Sequence, residues 1–278
     1  MEKTILNSMF DNLLHIGNKS NYWNPKMKRY IYGSVNGIHV INLTKTASKI
    51  EEVKAELKEL HTSGKKILFV ATKLQARDAI SKLAAESGHF YVSEKWVPGL
   101  LTNFKTIKRR IATYLQLDKD LNSGAFDMLS KKEKASKMLE LEKLNKAYAW
   151  VKEMKKIPDV IFVIDGVFEE QAVREANQLK LLSYAVLNTN GDDTVLTNCI
   201  PANTNSVKSI EYIAAALKES LSGKAREVTS TPSTGTTAPA KVKKVAETKV
   251  SGEKKAPAKR TPKKVAEVEA KVETTEQN

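Results

Sequence analysis

Short runs of consecutive apolar residues, many of them β-branched, recur along this chain with helical patterns between them. No other feature limits the possible folds as much. Residues 38–43, 67–71, 90–92, 160–164 and 184–187 read as strands, and several are apolar at every position rather than at alternate ones, as in Ile67-Leu68-Phe69-Val70-Ala71. A strand with no polar face has to be covered on both sides, which is the situation of parallel strands sandwiched by helices. Segments 44–61, 73–87, 168–179 and 206–221 supply the helices. In the first of them Ile50, Val53, Leu57 and Leu60 share one face, and Gly64 follows as a stop. Strand–helix alternation of this kind predicts an α/β fold, a doubly wound parallel sheet.

Two stretches depart from the alternation. Residues 103–156 are almost wholly helical in pattern. Ile107, Ile111, Tyr114 and Leu121 form a narrow apolar seam in the first half, and Met138, Leu141, Leu144, Tyr148 and Val151 form one in the second. Asn122-Ser123-Gly124 gives a turn, and the Asp127–Ser130 stretch gives a new N-cap. The pattern predicts an inserted antiparallel helical (coiled-coil) hairpin that projects from the sheet domain. From residue 223 to 278 the composition turns to Ser, Thr, Pro, Lys and Ala with almost no aromatic residue. Such a segment cannot offset its ordering entropy and is expected to be a disordered basic tail. The expected division is therefore 1–102 with 157–222 as the sheet domain, 103–156 as the hairpin and 223–278 as the tail.

The net charge of +14 makes a polyanion the first partner to consider. From Ser222 onward there are 13 basic and 7 acidic residues, so more than half of the excess belongs to the body. Cys199 is the only cysteine, which excludes an internal disulfide and any multi-cysteine zinc site. His15, His39, His61 and His89 are far apart in sequence and show no metal-site spacing, so no metal is expected. The first residues lack a secretory profile and no apolar run approaches ~18 residues, so the expectation is a cytoplasmic chain with no membrane segment.

Two constellations suit RNA. The first is Asn21-Tyr22-Trp23-Asn24-Pro25-Lys26-Met27-Lys28-Arg29-Tyr30, preceded by Asn18 and Lys19. Pro25 fixes its own φ and biases Asn24 away from helix, so a stiff loop is expected. Rings can stack on bases while the cations meet phosphates. A bland alternative has Tyr22 and Trp23 plugging the core beneath solvated lysines. The second constellation begins at Lys95-Trp96-Val97-Pro98-Gly99 and runs into a helix capped by Thr102 or Asn103. There Lys105, Lys108 and Arg109 share a face at i, i+3, i+4 spacing. Cations gain little near the positive end of a helix dipole, so this face makes more sense as one turned to phosphates.

An enzyme is the competing reading of an open parallel sheet. The turns after the first two strand runs, Thr44-Lys45-Thr46-Ala47 and Thr72-Lys73-Leu74-Gln75, contain no glycine to let backbone N–H groups approach a phosphate. Asp165 follows a strand end but can cap the next helix, and Asp192-Asp193 lies in an Asn/Gly-rich loop. No cofactor and no catalytic residue is expected.

The ordered motifs also resemble a known family. They are His15-Ile16-Gly17, Tyr22-Trp23-Asn24-Pro25-Lys26-Met27, Ile41-Asn42-Leu43-Thr44-Lys45-Thr46, Ile67-Leu68-Phe69-Val70-Ala71-Thr72-Lys73, Trp96-Val97-Pro98-Gly99-Leu100-Leu101-Thr102-Asn103, Pro158-Asp159-Val160-Ile161-Phe162-Val163-Ile164-Asp165, Glu175-Ala176-Asn177 and Thr189-Asn190. Together they make the chain similar to the bacterial small-subunit ribosomal protein two family from about Leu14 to Ala216. Asn18, Lys95 and Asn188 stand where that family often has histidine, arginine and aspartate. The resemblance implies a flavodoxin-like sheet with an inserted hairpin and no catalytic role. It implies binding to small-subunit ribosomal RNA beside neighbouring ribosomal proteins, among them the large mRNA-binding protein of the small subunit. A cytoplasmic RNA-binding protein acting off the ribosome is the alternative.

Overall fold

The computed structural model describes residues 2–222. The tail expected from 223 onward lies outside the described residues.

A five-stranded parallel sheet is built from β4 (Ile67–Val70), β5 (Phe90–Val92), β6 (Val160–Ile164), β7 (Leu182–Leu187) and β8 (Asn198–Pro201), in the order β5-β4-β6-β7-β8. All five residues of β6 are buried, as their unbroken apolar run requires. Successive side chains serve opposite faces. Ile67, Phe69, Val160, Phe162, Tyr184, Val186 and Ile200 join one core with α2 (Leu43–Thr62), α3 (Leu74–Ser87) and α7 (Val207–Leu221). Leu68, Val70, Ile161, Val163, Ala185, Leu187 and Cys199 join a second core with α6 (Glu170–Gln178) and α4 (Phe104–Asn122).

Residues 38–43 are the exception to the parallel reading. After α1 (Glu2–Asp11) the chain forms a separate antiparallel sheet of β1 (Ile16–Lys19), β2 (Ile31–Val35) and β3 (Ile38–Ile41), in the order β1-β3-β2. Asn36 and Gly37, at φ 49° and 74°, make the tight β2–β3 turn that forces antiparallel pairing. Asn42 then ends the run, because its Oδ1 accepts from the N–H groups of Thr44 (3.0 Å) and Lys45 (3.4 Å) and so starts α2 one residue earlier than expected. Strand β8 has no signal of its own in the sequence.

The insert contains α4 and α5 (Lys131–Tyr148), which pack on each other. Ser130 caps α5 in a reciprocal pair with Glu133. The apolar seam is uneven. Ile107, Ile111, Tyr114 and Leu117 of α4 are buried, whereas Tyr148 alone is buried in α5 and Met138 is exposed. Ile107, Ile111, Tyr148 and Val151 enter the second core, so the base of the insert is part of the body. Among the described residues no helix is long and apolar enough to cross a membrane.

One carboxylate connects α6 to the turn that leads into α4. Glu175 is 2% exposed. Its Oε1 accepts from Trp96 Nε1 (3.0 Å) and the Gly99 N–H (2.8 Å), and its Oε2 accepts from the Leu101 (3.0 Å) and Thr102 (3.3 Å) N–H groups. Burial pushes this carboxyl up, and the converging donors outweigh burial and hold it below the usual carboxylate range. On the other side of the sheet, His61 Nδ1 and His89 Nε2 meet at 3.0 Å, both rings buried. The Ile67 N–H donates to His89 Nδ1 (3.4 Å), which puts the proton of His89 on Nε2, facing His61. Burial, then the neighbouring His61 and Lys66, pushes His89 down from 6.5 to about 4.

Two acid-sensitive devices follow, in separate pH windows. An unfolded His89 binds a proton that the folded one refuses, so its contribution is complete above pH 6.5 and falls by about 3 kcal/mol towards pH 4. Chemical denaturation across this range should show the loss, and His89→Phe should flatten it. Glu175 contributes fully above its ordinary value of 4.5 and loses that contribution only as the pH falls through its lower folded value. Glu175→Ala leaves the buried Trp96 and Leu101 donors and the part-buried Gly99 and Thr102 N–H groups without their acceptor and should cost about 3 kcal/mol at neutral pH, read from the denaturation midpoint.

Candidate nucleic-acid interface

The loop after β1 is anchored from below and open above. Residues Pro25–Tyr30 form a short 3-10 helix rather than an irregular loop, with Pro25 at its first position and Asn24 Oδ1 accepting from the Lys26 N–H (3.0 Å). Met27 and Tyr30 point down and are 1% and 6% exposed. They, not Tyr22 and Trp23, plug the core. Tyr22 is 61% and Trp23 37% exposed, and the Trp23 ring lies 5.3 Å from the ring of His39. Lys19, Lys26, Lys28 and Arg29 are all exposed, and Asn18 is half-buried.

A second loop, after β7, holds this one. The Asn24 N–H donates to the Thr189 carbonyl (2.8 Å), and the Asn18 N–H donates to Thr189 Oγ1 (2.9 Å). A Cβ on Gly17 would sit 2.7 Å from Thr189 Cγ2 and 2.8 Å from the His39 carbonyl oxygen, so only glycine permits this approach. Lys26 Nζ donates to Asp192 Oδ2 (2.6 Å) and Thr194 Oγ1 (2.9 Å), and Arg29 pairs with Asp193. Burial pushes the Asp192 carboxyl up, and the bonds from Lys26 and Thr194 together outweigh it, leaving it below its usual range. Two of the expected phosphate ligands are therefore held by carboxylates more than 160 positions away in sequence, which no local pattern signals.

In the second constellation a distant carboxylate engages the indole and the threonine, not the cations. Trp96 is 7% exposed and is spent on Glu175. Thr102 Oγ1 also donates to Glu175 (3.3 Å), and Asn103 stands at the N-cap position of α4 without a side-chain cap bond. Lys95, Asn103, Lys105, Lys108 and Arg109 are exposed, and Arg110 continues the cationic run. Among the described residues no carboxylate pairs with Lys105, Lys108 or Arg109. Met27, Tyr30, Leu100 and Ile107 belong to one core cluster, so both constellations rise from the same layer of the molecule.

At the carboxyl edge of the sheet, where open α/β sheets take ligands, the crevice between β4 and β6 holds the chain's own side chains, and a cavity of about 310 Å³ lined by Gly166, Arg174, Asn177 and Asn190 opens beside the ends of β6 and β7. Lys73 pairs with Asp165, whose Oδ2 also accepts from Thr204 Oγ1 (2.9 Å), and Lys73 Nζ reaches Asn205 Oδ1 (2.8 Å). Asp165, at φ 68°, accepts through Oδ1 from the N–H groups of Val167 and Phe168, both at 3.2 Å, in the turn that leads to α6. Glu169 accepts from the Thr72 N–H (3.0 Å), and its burial raises its carboxyl above the ordinary range.

Comparison with known proteins bears on this arrangement. The family described as Ribosomal protein S2 matches residues 9–223. A curated relative from Fusobacterium nucleatum, named small ribosomal subunit protein uS2, is 41% identical over 209 residues, covering 75% of this chain and 85% of that protein. Proteins of the same name from Dictyoglomus turgidum and Glaesserella parasuis are 39% and 37% identical, over 80% and 82% of this chain and 90% and 95% of their own lengths. The match takes in both cationic constellations and the whole sheet, and the chain belongs to the ribosomal protein S2 family.

Proposed function

We propose that this chain is a structural, non-catalytic component of the small ribosomal subunit, acting in translation by binding ribosomal RNA and packing beside other ribosomal proteins. The family match over residues 9–223, with relatives that carry that name, is the observation that carries the reading. In this reading the RNA meets the outer surfaces of residues 18–29 and 95–109. Lys105, Lys108 and Arg109 supply unpaired cations, and Lys19, Lys28 and Lys95 add exposed ones. Lys26 and Arg29 change partner from Asp192 and Asp193 to phosphate. Tyr22 and Trp23 offer stacking faces, and Asn18, Asn24 and Asn103 offer hydrogen bonds.

The sheet order β5-β4-β6-β7-β8 supports the flavodoxin-like arrangement, since the first strand of the parallel sheet lies between the second and the third. Residues 103–156 act as a helical brace between that domain and its surroundings. Other small-subunit proteins, the large mRNA-binding protein among them, are the proposed neighbours, and the cytoplasmic ribosome is the proposed location.

Sedimentation of a cell extract through sucrose tests the reading. The chain should co-migrate with the small subunit in moderate salt, and a pool confined to the top of the gradient would refute it. Replacing Lys105, Lys108 and Arg109 together by Ala should weaken rebinding to subunits stripped of this protein. It should also lower the log–log salt slope by roughly 0.9 for each phosphate no longer neutralised. An unchanged slope would remove α4 from the interface.

A further inference from the structure

A buried pair of ring nitrogens without a hydrogen-bond partner lies beside the loop that the RNA reading uses: both belong to His39. The His39 Cβ and Thr189 Cγ2 lie 3.1 and 2.7 Å from where a Cβ on Gly17 would stand, so the ring sits where the two loops meet. Buried polar groups are almost always satisfied, and each exception costs stability. A ring with two unsatisfied nitrogens is therefore a place where the free protein bears a cost that a partner could relieve.

The cover over His39 is Trp23, whose ring lies 5.3 Å away at 53°. The backbone on either side of Trp23 is pinned, through Tyr22 N–H to the Lys19 carbonyl (2.8 Å) and Asn24 N–H to the Thr189 carbonyl (2.8 Å). Trp23 as a whole residue is more than one-third exposed. It can leave His39 by side-chain rotation alone, without unfolding the loop.

We infer that Trp23 and His39 together form a site for one unpaired nucleobase of the bound RNA, which rests on the ribosomal reading above and adds a residue to it. The indole stacks on the face of the base and the imidazole meets its edge. A neutral imidazole presents one donor and one acceptor, and a nucleobase edge presents both kinds of group in return. Every base has a face on which an indole can stack, and an extruded base of folded RNA exposes face and edge together. An isolated phosphate would satisfy donors only and would leave the acceptor nitrogen of His39 without a partner. A base satisfies both kinds.

The test uses the full chain, with small subunits stripped of this protein as the probe. His39→Phe keeps a ring of similar size and removes both unsatisfied nitrogens. Its affinity should fall about tenfold with the salt slope unchanged, because every phosphate keeps its cation, while the thermal midpoint stays level or rises. Trp23→Ala should weaken binding by a similar factor, again without changing the slope. Unchanged affinity in His39→Phe overturns the inference. So does a drop in thermal midpoint that accompanies the weaker binding, since His39 would then serve packing. Failure of the unaltered chain to rebind stripped subunits overturns the ribosomal reading, and the inference with it.

Discussion

The structure depends on a buried carboxylate that has no cation beside it. Glu175 keeps its charge in the second core only because an indole N–H and three backbone N–H groups converge on its two oxygens. Those donors come from the turn at residues 96–102, so the charge fixes the path of the chain between β5 and α4. It thereby sets the angle at which α4 leaves the body and the direction in which Lys105, Lys108 and Arg109 project. Apolar contacts from Leu100, Leu101 and Ile107 fill the space around it. They are non-directional, and the carboxylate supplies the orientation.

A second constraint comes from the carboxyl edge of the sheet. Open sheets of this kind leave a crevice there because neighbouring strands send their connections to opposite faces. Lys73, Asp165, Thr204 and Asn205 occupy it as one hydrogen-bonded group, and Thr72 with Glu169 closes it further. With that crevice engaged internally, the exposed cations lie on the loops and on α4. The fold is a common scaffold, and the function has to be argued from those surfaces.

How much of this is legible in the sequence depends on the range of each interaction. Strands β4 and β6 announce themselves, because a strand covered on both faces has to be apolar throughout. Strand β8 does not, since Asn198-Cys199-Ile200-Pro201 has two polar or ring-constrained ends and gains its place only by pairing with β7. The run at 38–43 reads as a parallel strand by its apolar content, although Asn36-Gly37, two positions before it, is the strongest local sign of a hairpin. In the candidate interface, the exposure of the lysines follows from their chemistry. The downward direction of Met27 and Tyr30, and the pairing of Lys26 and Arg29 with Asp192 and Asp193, are tertiary facts with no local signature. Glu175 appears in a motif, but nothing in its neighbours shows which donors it collects.

The pairing of the first loop with Asp192 and Asp193 has an effect on selectivity. The Lys26–Asp192 pair is partly exposed and adds little to stability, so it is easily exchanged, whereas the buried Asp193 gives up Arg29 only at a cost. Until the exchange happens, however, the loop carries its own counter-charges and its field is muted at a distance. A stray polyanion is drawn mainly to α4, whose cations are bare. On the function proposed above, only a strand shaped to reach both surfaces would displace the two aspartates, and the loop would discriminate by shape where raw charge is indiscriminate.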